Sequence, residues 1–377
     1  MNGVPIARLF GFEIRIHVTW VLILATATVL AETEIESADP SVPPLTRWAI
    51  GAVIAAAFLV SVLAHELGHA VAARARGIDV GPMTLYFFGG TASFQTEFDD
   101  PRSATIVTAA GPVVSLALAG VIGTIGVALR SVGGLVLDPL GVLLLAIAGL
   151  NVLVGGINLV PAYPLDGGRL VRAVAWLRTR DERRGSAFAA VVGRAVGWLL
   201  IGSGITVMAI EDPLDGLMLA ISGWFLSGAS RGIERRLMVQ DLLQGVRVED
   251  VMDRGVAGVT PNLTLDTFAE RLLGNEGSAV PVVRDDALVG LVGVSQVRRL
   301  RRGSWSTTRA QDVMVTPPSL PLVEARDTLW SALDRLRRAG LDALPVVEGG
   351  GLLGLVTKEG IAEAIQSRAR MRGVVLR

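Results

Sequence analysis

Three titratable side chains interrupt an apolar run between Phe58 and Gly77. They are His65, Glu66 and His69, and together they follow the pattern HExxH. On a helix, His65 and His69 lie on one face because they are four residues apart. Two neutral imidazoles can bind zinc, and a neighbouring glutamate can accept a proton from an attacking water molecule. The same pattern also arises by chance in unrelated proteins, so the motif alone does not establish a metal site.

The composition limits which residues could complete such a site. The 377 residues include no cysteine and three histidines, which excludes disulfides and thiolate zinc sites. We therefore expect the third protein ligand to be a carboxylate. The remaining histidine, His17, stands at the start of an apolar run and is expected to be a structural or interfacial residue. The formal net charge is zero and no basic block is present, which argues against nucleic-acid binding.

Apolar runs dominate the first 230 residues. The mean hydropathy of +0.53 is too high for an ordinary soluble domain. Most of the runs are long enough to cross about 30 Å of hydrocarbon. Between the second and third runs, residues 81–101 alternate β-formers with a glycine pair and predict a hairpin, either dipping into the membrane edge or on the surface. The six runs are 16–31, 48–64, 104–129, 140–160, 190–210 and 217–229.

The arginine distribution predicts how these runs cross the bilayer. Positive residues are enriched on the cytoplasmic side of membrane proteins. With six spans and a cytoplasmic N-terminus, the acidic loop at 32–46 falls outside. Both termini are then cytoplasmic, and HExxH lies near the cytoplasmic end of the second span. The arginines that fall inside are Arg8, Arg15, Arg74, Arg76, Arg102, the cluster at 169–184, Arg231, Arg235 and Arg236.

Asp166 lies in a Pro/Gly-rich segment at the end of the fourth run. That run crosses from outside to inside, so Asp166 reaches the same side of the membrane as HExxH. Ionisable residues within membrane segments cost roughly 2.5–3.5 kcal/mol on insertion scales and usually mark function. The alternative is a turn residue in an Asp-Gly pair. The shared depth favours Asp166 as the third metal ligand.

Four motifs resemble the site-2 protease family of intramembrane zinc metalloproteases. They are HELGH in the second run, FGG in the hairpin, AGP in the third run, and NLVPAYPLDGGR ending the fourth. The motifs occur in the family's order, and the resemblance covers about residues 1–235. The resemblance implies one zinc ion per chain, bound by His65, His69 and Asp166, with Glu66 as the general base.

The same resemblance implies roles for three further residues. Asn158 would orient or stabilise the peptide carbonyl as it becomes an oxyanion. Gly89 and Gly90 would lie in a re-entrant β-loop beside the substrate. A transmembrane substrate hides its backbone in its own helical hydrogen bonds, so it must unwind locally. A re-entrant strand could hold the unwound segment by β-pairing.

Residues 246–377 contain an internal repeat. VEDVM matches AQDVM, AVPVV matches ALPVV, and LVGLV matches LLGLV. The repeat resembles a tandem pair of CBS domains, a regulatory module that often binds adenine nucleotides and commonly dimerises. Gln296 and Gly360 stand where many nucleotide-binding members have a ribose-binding aspartate, which argues against the usual ribose contact. An appendage for folding or dimerisation, without a ligand, is the alternative.

The sequence therefore predicts a polytopic α-helical membrane protein. It would have about six transmembrane helices, a re-entrant β-hairpin and a cytoplasmic α+β tandem CBS module. The predicted divisions are a transmembrane metalloprotease domain, a linker, a first CBS domain, and a second CBS domain with a tail. Their bounds are 1–235, 236–245, 246–303 and 304–377.

The predicted function is intramembrane proteolysis in the cell membrane, close to the cytoplasmic side. The chain would hydrolyse a peptide bond in or near a transmembrane segment of a membrane-bound regulatory protein, as in regulated intramembrane proteolysis, modulated by its CBS pair. A CBS-regulated ion transporter or channel is the alternative. Transport gives no reason to pair HExxH with a distant aspartate at the same depth. The intact Glu66 argues against a non-catalytic scaffold.

Overall fold

The computed structural model divides into two compact units, Met1–Glu234 and Arg235–Arg377. The boundary falls inside a helix that continues to Leu242. The predicted linker at 236–245 is therefore mostly helical, because its sequence is rich in Arg, Leu, Met and Gln, which are good helix formers. The structure describes residues 3–86, 89–94, 98, 100–134, 136–275, 278–285, 287–298, 300–349 and 351–374.

Seven α-helices make up most of the first unit in these described residues. Four of them, at Pro44–Ala75, Pro101–Val132, Leu137–Asn158 and Glu182–Ile210, are long and apolar enough to cross a membrane. The other two predicted runs fall in the helices Thr19–Ala38 and Pro213–Leu242, so the count of six spans stays a prediction. The helices are α1 (Thr19–Ala38), α2 (Pro44–Ala75), α3 (Pro101–Val132), α4 (Leu137–Asn158), α5 (Asp166–Thr179), α6 (Glu182–Ile210) and α7 (Pro213–Leu242).

The outer faces of the apolar helices carry large hydrophobic side chains. Val121 on α3 is 61% exposed, and Leu199 on α6 is 67% exposed. Extended apolar surface of this kind marks contact with lipid or protein rather than water. The protein is therefore a multi-pass membrane protein.

The acidic segment predicted as a loop at 32–46 is helical as far as Ala38. Glu32 and Glu36 face α2, where their carboxylates lie 3.0 Å and 2.8 Å from the guanidinium of Arg47. Arg47 is buried. The helix continues because glutamate and alanine favour helix and because the arginine compensates the acidic charge.

Among the described residues, four strands of the first unit form one sheet. They are β1 (Val4–Leu9), β2 (Phe12–Ile16), β3 (Val80–Tyr86) and β4 (Gly89–Phe94), in the order β1-β2-β3-β4. The β1-β2 and β3-β4 pairs are antiparallel, and β2 pairs with β3 in parallel.

The β3-β4 hairpin was predicted, whereas the β1-β2 hairpin was not. The turn of the β1-β2 hairpin lies at Phe10 and Gly11, both at positive φ. The segment FEIRI that follows alternates apolar and charged residues, and its Phe12 and Ile14 are buried. This pattern is typical of a half-buried strand. Whether the β3-β4 hairpin enters the membrane stays a prediction, and Phe87 and Phe88 lie outside the described residues.

The second unit contains two similar arrays of strands and helices. The elements are β5 (Asp253–Arg254), α8 (Leu265–Asn275), β6 (Ala279–Arg284), β7 (Ala287–Gly293), α9 (Val294–Val297), α10 (Ala310–Val313), β8 (Val323–Glu324), α11 (Leu329–Ala339), β9 (Ala343–Glu348), β10 (Gly351–Thr357) and α12 (Lys358–Met371). In each array a β-hairpin is followed by a helix: α9 follows β6-β7, and α12 follows β9-β10. The strand orders in the two sheets are β6-β7 and β5-β10-β9-β8.

Candidate metal centre

Two helices bring His65, His69 and Asp166 together. The histidines lie on one buried face of α2, and Asp166 is the first residue of α5. Their exposed fractions are 2%, 7% and 8%. The predicted pairing of HExxH with a distant aspartate is thus present in the geometry.

The three candidate ligand atoms form a compact triangle. His65 Nε2 lies 3.0 Å from Asp166 Oδ2, His69 Nε2 lies 2.9 Å from the same oxygen, and the two nitrogens are 3.3 Å apart. Zinc binds nitrogen and oxygen at about 2.0–2.2 Å in a tetrahedron, whose ligand atoms are then about 3.3 Å apart. The triangle therefore matches one face of a zinc coordination tetrahedron.

Helix α3 holds both imidazole rings by their other nitrogens. His65 Nδ1 lies 3.0 Å from Ser115 Oγ, and His69 Nδ1 lies 2.8 Å from the main-chain oxygen of Val107. Such partners orient metal-binding histidines and fix the ring tautomer. Both Nε2 atoms are thereby directed at Asp166.

These contacts make the site fit a metal ion. A carbonyl oxygen can only accept, so His69 Nδ1 carries a proton, and a neutral ring then presents a lone pair at Nε2. That lone pair faces an acceptor oxygen of Asp166 at 2.9 Å, an arrangement that either a proton or a metal ion between the two atoms would satisfy. The three residues could hold a metal ion, and three protein ligands of this type leave a fourth position open, as in catalytic zinc sites.

Gly111 of α3 leaves room for the two rings. A Cβ atom at this position would lie 2.3 Å from His69 Nε2 and 2.7 Å from His65 Nε2, well inside the contact distance that real Cβ atoms show. Helix α3 continues through Gly111 and Pro112. The glycine is explained by the space that the histidines need.

Asp166 is positioned by close backbone packing. A Cβ atom on Gly167 would lie 2.2 Å from the oxygen of Val160, and one on Gly168 would lie 2.7 Å from the carbonyl carbon of Ala162. The first turn of α5 therefore lies directly against the irregular segment that precedes it. Larger residues after Asp166 would push the carboxylate away from the histidines.

Glu66 lies on the same helix as the two histidines, whereas Asn158 and Asp166 lie on different helices. Glu66 follows His65 in α2 and is 8% exposed, and it contributes none of the three triangle atoms. Asn158 is the last residue of α4, and its amide nitrogen donates to the oxygen of Val154 at 2.9 Å. No contact of Asn158 with the triangle is observed among the described residues.

Gly89 and Gly90 open strand β4. Their backbone positions pair with Tyr86 and Leu85 of β3. Because β4 is the last strand of its sheet, its other edge is the one at which a further strand could add.

The structure adds polar residues that the sequence analysis missed. Besides Ser115, they are Ser61 and Asn151, which are 4% and 1% exposed. Asn151 Nδ2 donates to Ser61 Oγ at 2.9 Å. Ser61 lies one helical turn before His65 on α2. A polar residue inside an apolar run was the available signal, since buried polar groups in membrane helices need partners.

In the second unit, Asp342 joins the two repeats. Its carboxylate accepts from the backbone nitrogen of Ser295 at 2.9 Å and lies 3.0 Å from Lys358 Nζ. Gln296 Oε1 accepts from the backbone of Gly293, and Gly360 donates to Thr357 Oγ1. At the two usual ribose positions the chain thus has a helix-capping amide and a glycine rather than aspartates.

Comparison with known proteins agrees with this geometry. Peptidase family M50 matches residues 53–137 and 134–200, and the CBS domain matches residues 248–303 and 310–367. A protein of Mycobacterium tuberculosis named as a zinc metalloprotease, Rip3, is 35% identical over 97% of this chain and 93% of its own length. The zinc metalloprotease MJ0392 of Methanocaldococcus jannaschii is 26% identical over 96% of each chain.

Among solved structures, the site-2 protease from Methanocaldococcus jannaschii is 24% identical with a TM-score of 0.37, covering 60% of this chain and 95% of that one. The family assignment rests on the M50 and CBS matches and on the near full-length relative. The chain therefore belongs to peptidase family M50, the site-2 protease family, and is a zinc metalloprotease of the site-2 type with a pair of CBS domains.

Proposed function

We propose that this protein hydrolyses a peptide bond in or beside a transmembrane segment of another membrane protein, using zinc held by His65, His69 and Asp166. The observation that carries the proposal is the buried triangle of donor atoms, 2.9–3.3 Å on each side. It lies among helices that are apolar enough to span a bilayer. The two together support a hydrolytic site within reach of a membrane-embedded backbone.

The protein's own residues supply the proton transfers. Zinc, when bound, lowers the pKa of water and polarises a carbonyl group. The carboxylate of Glu66 takes a proton from the attacking water and passes it to the leaving amine. Asn158 lies at the end of α4, eight residues before Asp166, and its amide orients the peptide carbonyl after leaving its contact with Val154.

Strand β4 is the proposed docking edge for the unwound substrate. Substrate backbone groups would pair with the edge that begins at Gly89 and Gly90, which compensates for the helical hydrogen bonds lost on unwinding. Proline introduced in this hairpin should impair cleavage while zinc stays bound, because proline removes a pairing donor. Unchanged cleavage by such variants would contradict this docking mode.

The substrate proposed is a membrane-bound regulatory protein with a transmembrane helix, cleaved in regulated intramembrane proteolysis. Both termini and the second unit would be cytoplasmic, with the active site near that side, as the arginine distribution indicates. The CBS pair would modulate cleavage and could dimerise the chain. An adenine nucleotide at this pair would need contacts other than the usual ribose aspartate.

The first test is the zinc content of the full-length protein in detergent. We expect about one zinc per chain in the wild type, with loss of zinc in both His65→Ala and Asp166→Ala. Glu66→Gln serves as the matched control, because it should retain zinc while abolishing cleavage of a single-span substrate. A well-folded wild type that binds no zinc would remove the protease mechanism and favour the transporter alternative.

A further inference from the structure

Helix α5 presents an apolar stripe that the metal site does not use. Leu170, Val171 and Val174 lie on this stripe and are half-buried. Together with Phe188 of α6, which is 57% exposed, they line a groove of about 640 Å³. A cavity of this size and lining is suited to a small amphiphile.

The groove lies at one surface of the bilayer. α4 and α6 are both candidate spans, so the segment that joins them begins and ends on the same side. α5 has 14 residues and is about 21 Å long, too short to cross about 30 Å of hydrocarbon. An amphipathic helix in this position lies at the boundary between lipid headgroups and acyl chains.

Two arginines stand at the polar end of the groove. Arg178 comes from the last turn of α5 and Arg184 from the first turns of α6, and both line the cavity. Arg178 has no ion pair within the part of the chain that the structure describes. Arg184 lies 3.4 Å from Asp181, but its side chain is 77% exposed, and a pair so exposed is weak. Both guanidinium groups can therefore bind an incoming anion.

We propose that the groove between α5 and α6 binds an anionic phospholipid. The phosphate lies between the guanidinium groups of Arg178 and Arg184, because arginine matches the geometry of phosphate oxygens. An acyl chain follows the stripe of Leu170, Val174 and Phe188. A lipid bound there would hold the helix that begins at Asp166.

The charge and the apolar lining together select this ligand. A free phosphate would gain nothing from the apolar stripe, and a zwitterionic lipid would bring its own cation to the two arginines. Basic groups near a bilayer surface attract anionic lipid by about 1 kcal/mol each. Removing both arginines should therefore weaken binding by about 10- to 30-fold.

The test is lipid binding to the full-length protein, measured by native mass spectrometry. Phosphatidylglycerol and phosphatidylcholine with identical acyl chains are titrated against the wild type and against Arg178→Gln/Arg184→Gln. We expect the wild type to prefer phosphatidylglycerol and the double variant to lose that preference. Arg231→Gln/Arg235→Gln is the matched control, because it removes the same charge from exposed positions on α7 and should keep the preference.

Two further arms separate the possible occupants. Phe188→Ala should weaken the binding of both lipids, since it removes part of the apolar contact with the acyl chain. Inorganic phosphate should not displace the bound lipid. Equal binding of the two lipids by the wild type would overturn the proposal even if the double variant failed to fold. Displacement by phosphate, or an equal loss in the α7 control, would also overturn it. No arm depends on zinc or on proteolysis, so the result is independent of the proposed function.

Discussion

Gly111→Ala should destroy the metal site although Gly111 is not itself a proposed ligand. The new methyl carbon would lie 2.3 Å from His69 Nε2, whereas ordinary contacts begin at 3.4 Å. The ring must therefore retreat by about 1 Å, and the ring of His65, 2.7 Å away, must retreat as well. Neither can do so freely, because both rings are hydrogen-bonded to the same helix, α3, through Val107 and Ser115.

The expected loss of zinc affinity in Gly111→Ala can be judged from substitutions that disturb a metal ligand less. Mutation of a partner of a metal ligand typically weakens metal binding 10- to 100-fold. Displacing two ligand atoms at once should therefore weaken zinc binding by more than about 100-fold. Alanine favours helix over glycine by about 1 kcal/mol, so α3 itself should not be weakened.

Zinc affinity is measured by competition with a chelator on the full-length protein, with thermal unfolding recorded in parallel. Gly120→Ala is the matched control, because it lies on the same helix with nothing within 4 Å of the added carbon. We expect the control to bind zinc normally. Normal zinc affinity in Gly111→Ala would show that the histidine rings are not confined as the structure indicates, and the proposed metal geometry would be wrong.

Three further predictions follow from other contacts. Ser115→Ala should weaken zinc binding about 10- to 100-fold because His65 loses its orienting partner, and Ser115→Thr should restore much of it; equal zinc affinity in all three proteins would contradict this role. Glu66→Gln should keep zinc but lower cleavage by at least about 100-fold, the range of a lost general base, in an assay that follows substrate fragments. Burial raises the pKa of the Asp342 carboxyl, but its hydrogen bonds with Ser295 and Lys358 lower it below its ordinary value, so its stabilisation is present above about pH 4 and is lost as the pH falls further. The protection of the second unit's amides against hydrogen exchange, relative to the intrinsic exchange rate at each pH, should accordingly fall in acid. Asp342→Asn should lose less protection than the wild type; an equal loss in the variant would mean that other groups cause the acid response.

Much of the site could be predicted from sequence because its chemistry demands specific side chains. The absence of cysteine left carboxylates as the remaining ligand class, and the shared membrane depth singled out Asp166. The contribution of α3 could not be predicted in the same way. Val107 acts through its backbone oxygen, which has no residue signature, and Gly111 acts by the absence of a side chain. A serine such as Ser115 is common in apolar helices, so its type alone does not point to a histidine partner.

The fold showed a similar division. Long apolar runs predicted the membrane helices, since span length is set by bilayer thickness. The sequence predicted a loop from Glu32 to Ala38 because acidic residues follow an apolar run. That prediction was wrong, since these residues are helical. Their compensation by Arg47, which follows 15 residues after Glu32, depends on how α1 packs against α2. Such pairing is decided by tertiary contacts rather than by local propensity.

The residues of α3 explain why two histidines four apart need a second helix to become a metal site. Val107, Gly111 and Ser115 are also spaced by four, so they share one face of α3. His69 contacts Val107 and His65 contacts Ser115, which means that the two helices run in opposite directions along the site. Gly111 lies between the two contacts and leaves the space into which both Nε2 atoms point. A shift of one residue in either helix would break both hydrogen bonds and place a side chain in that space, so the register of α2 against α3 determines whether the site can form.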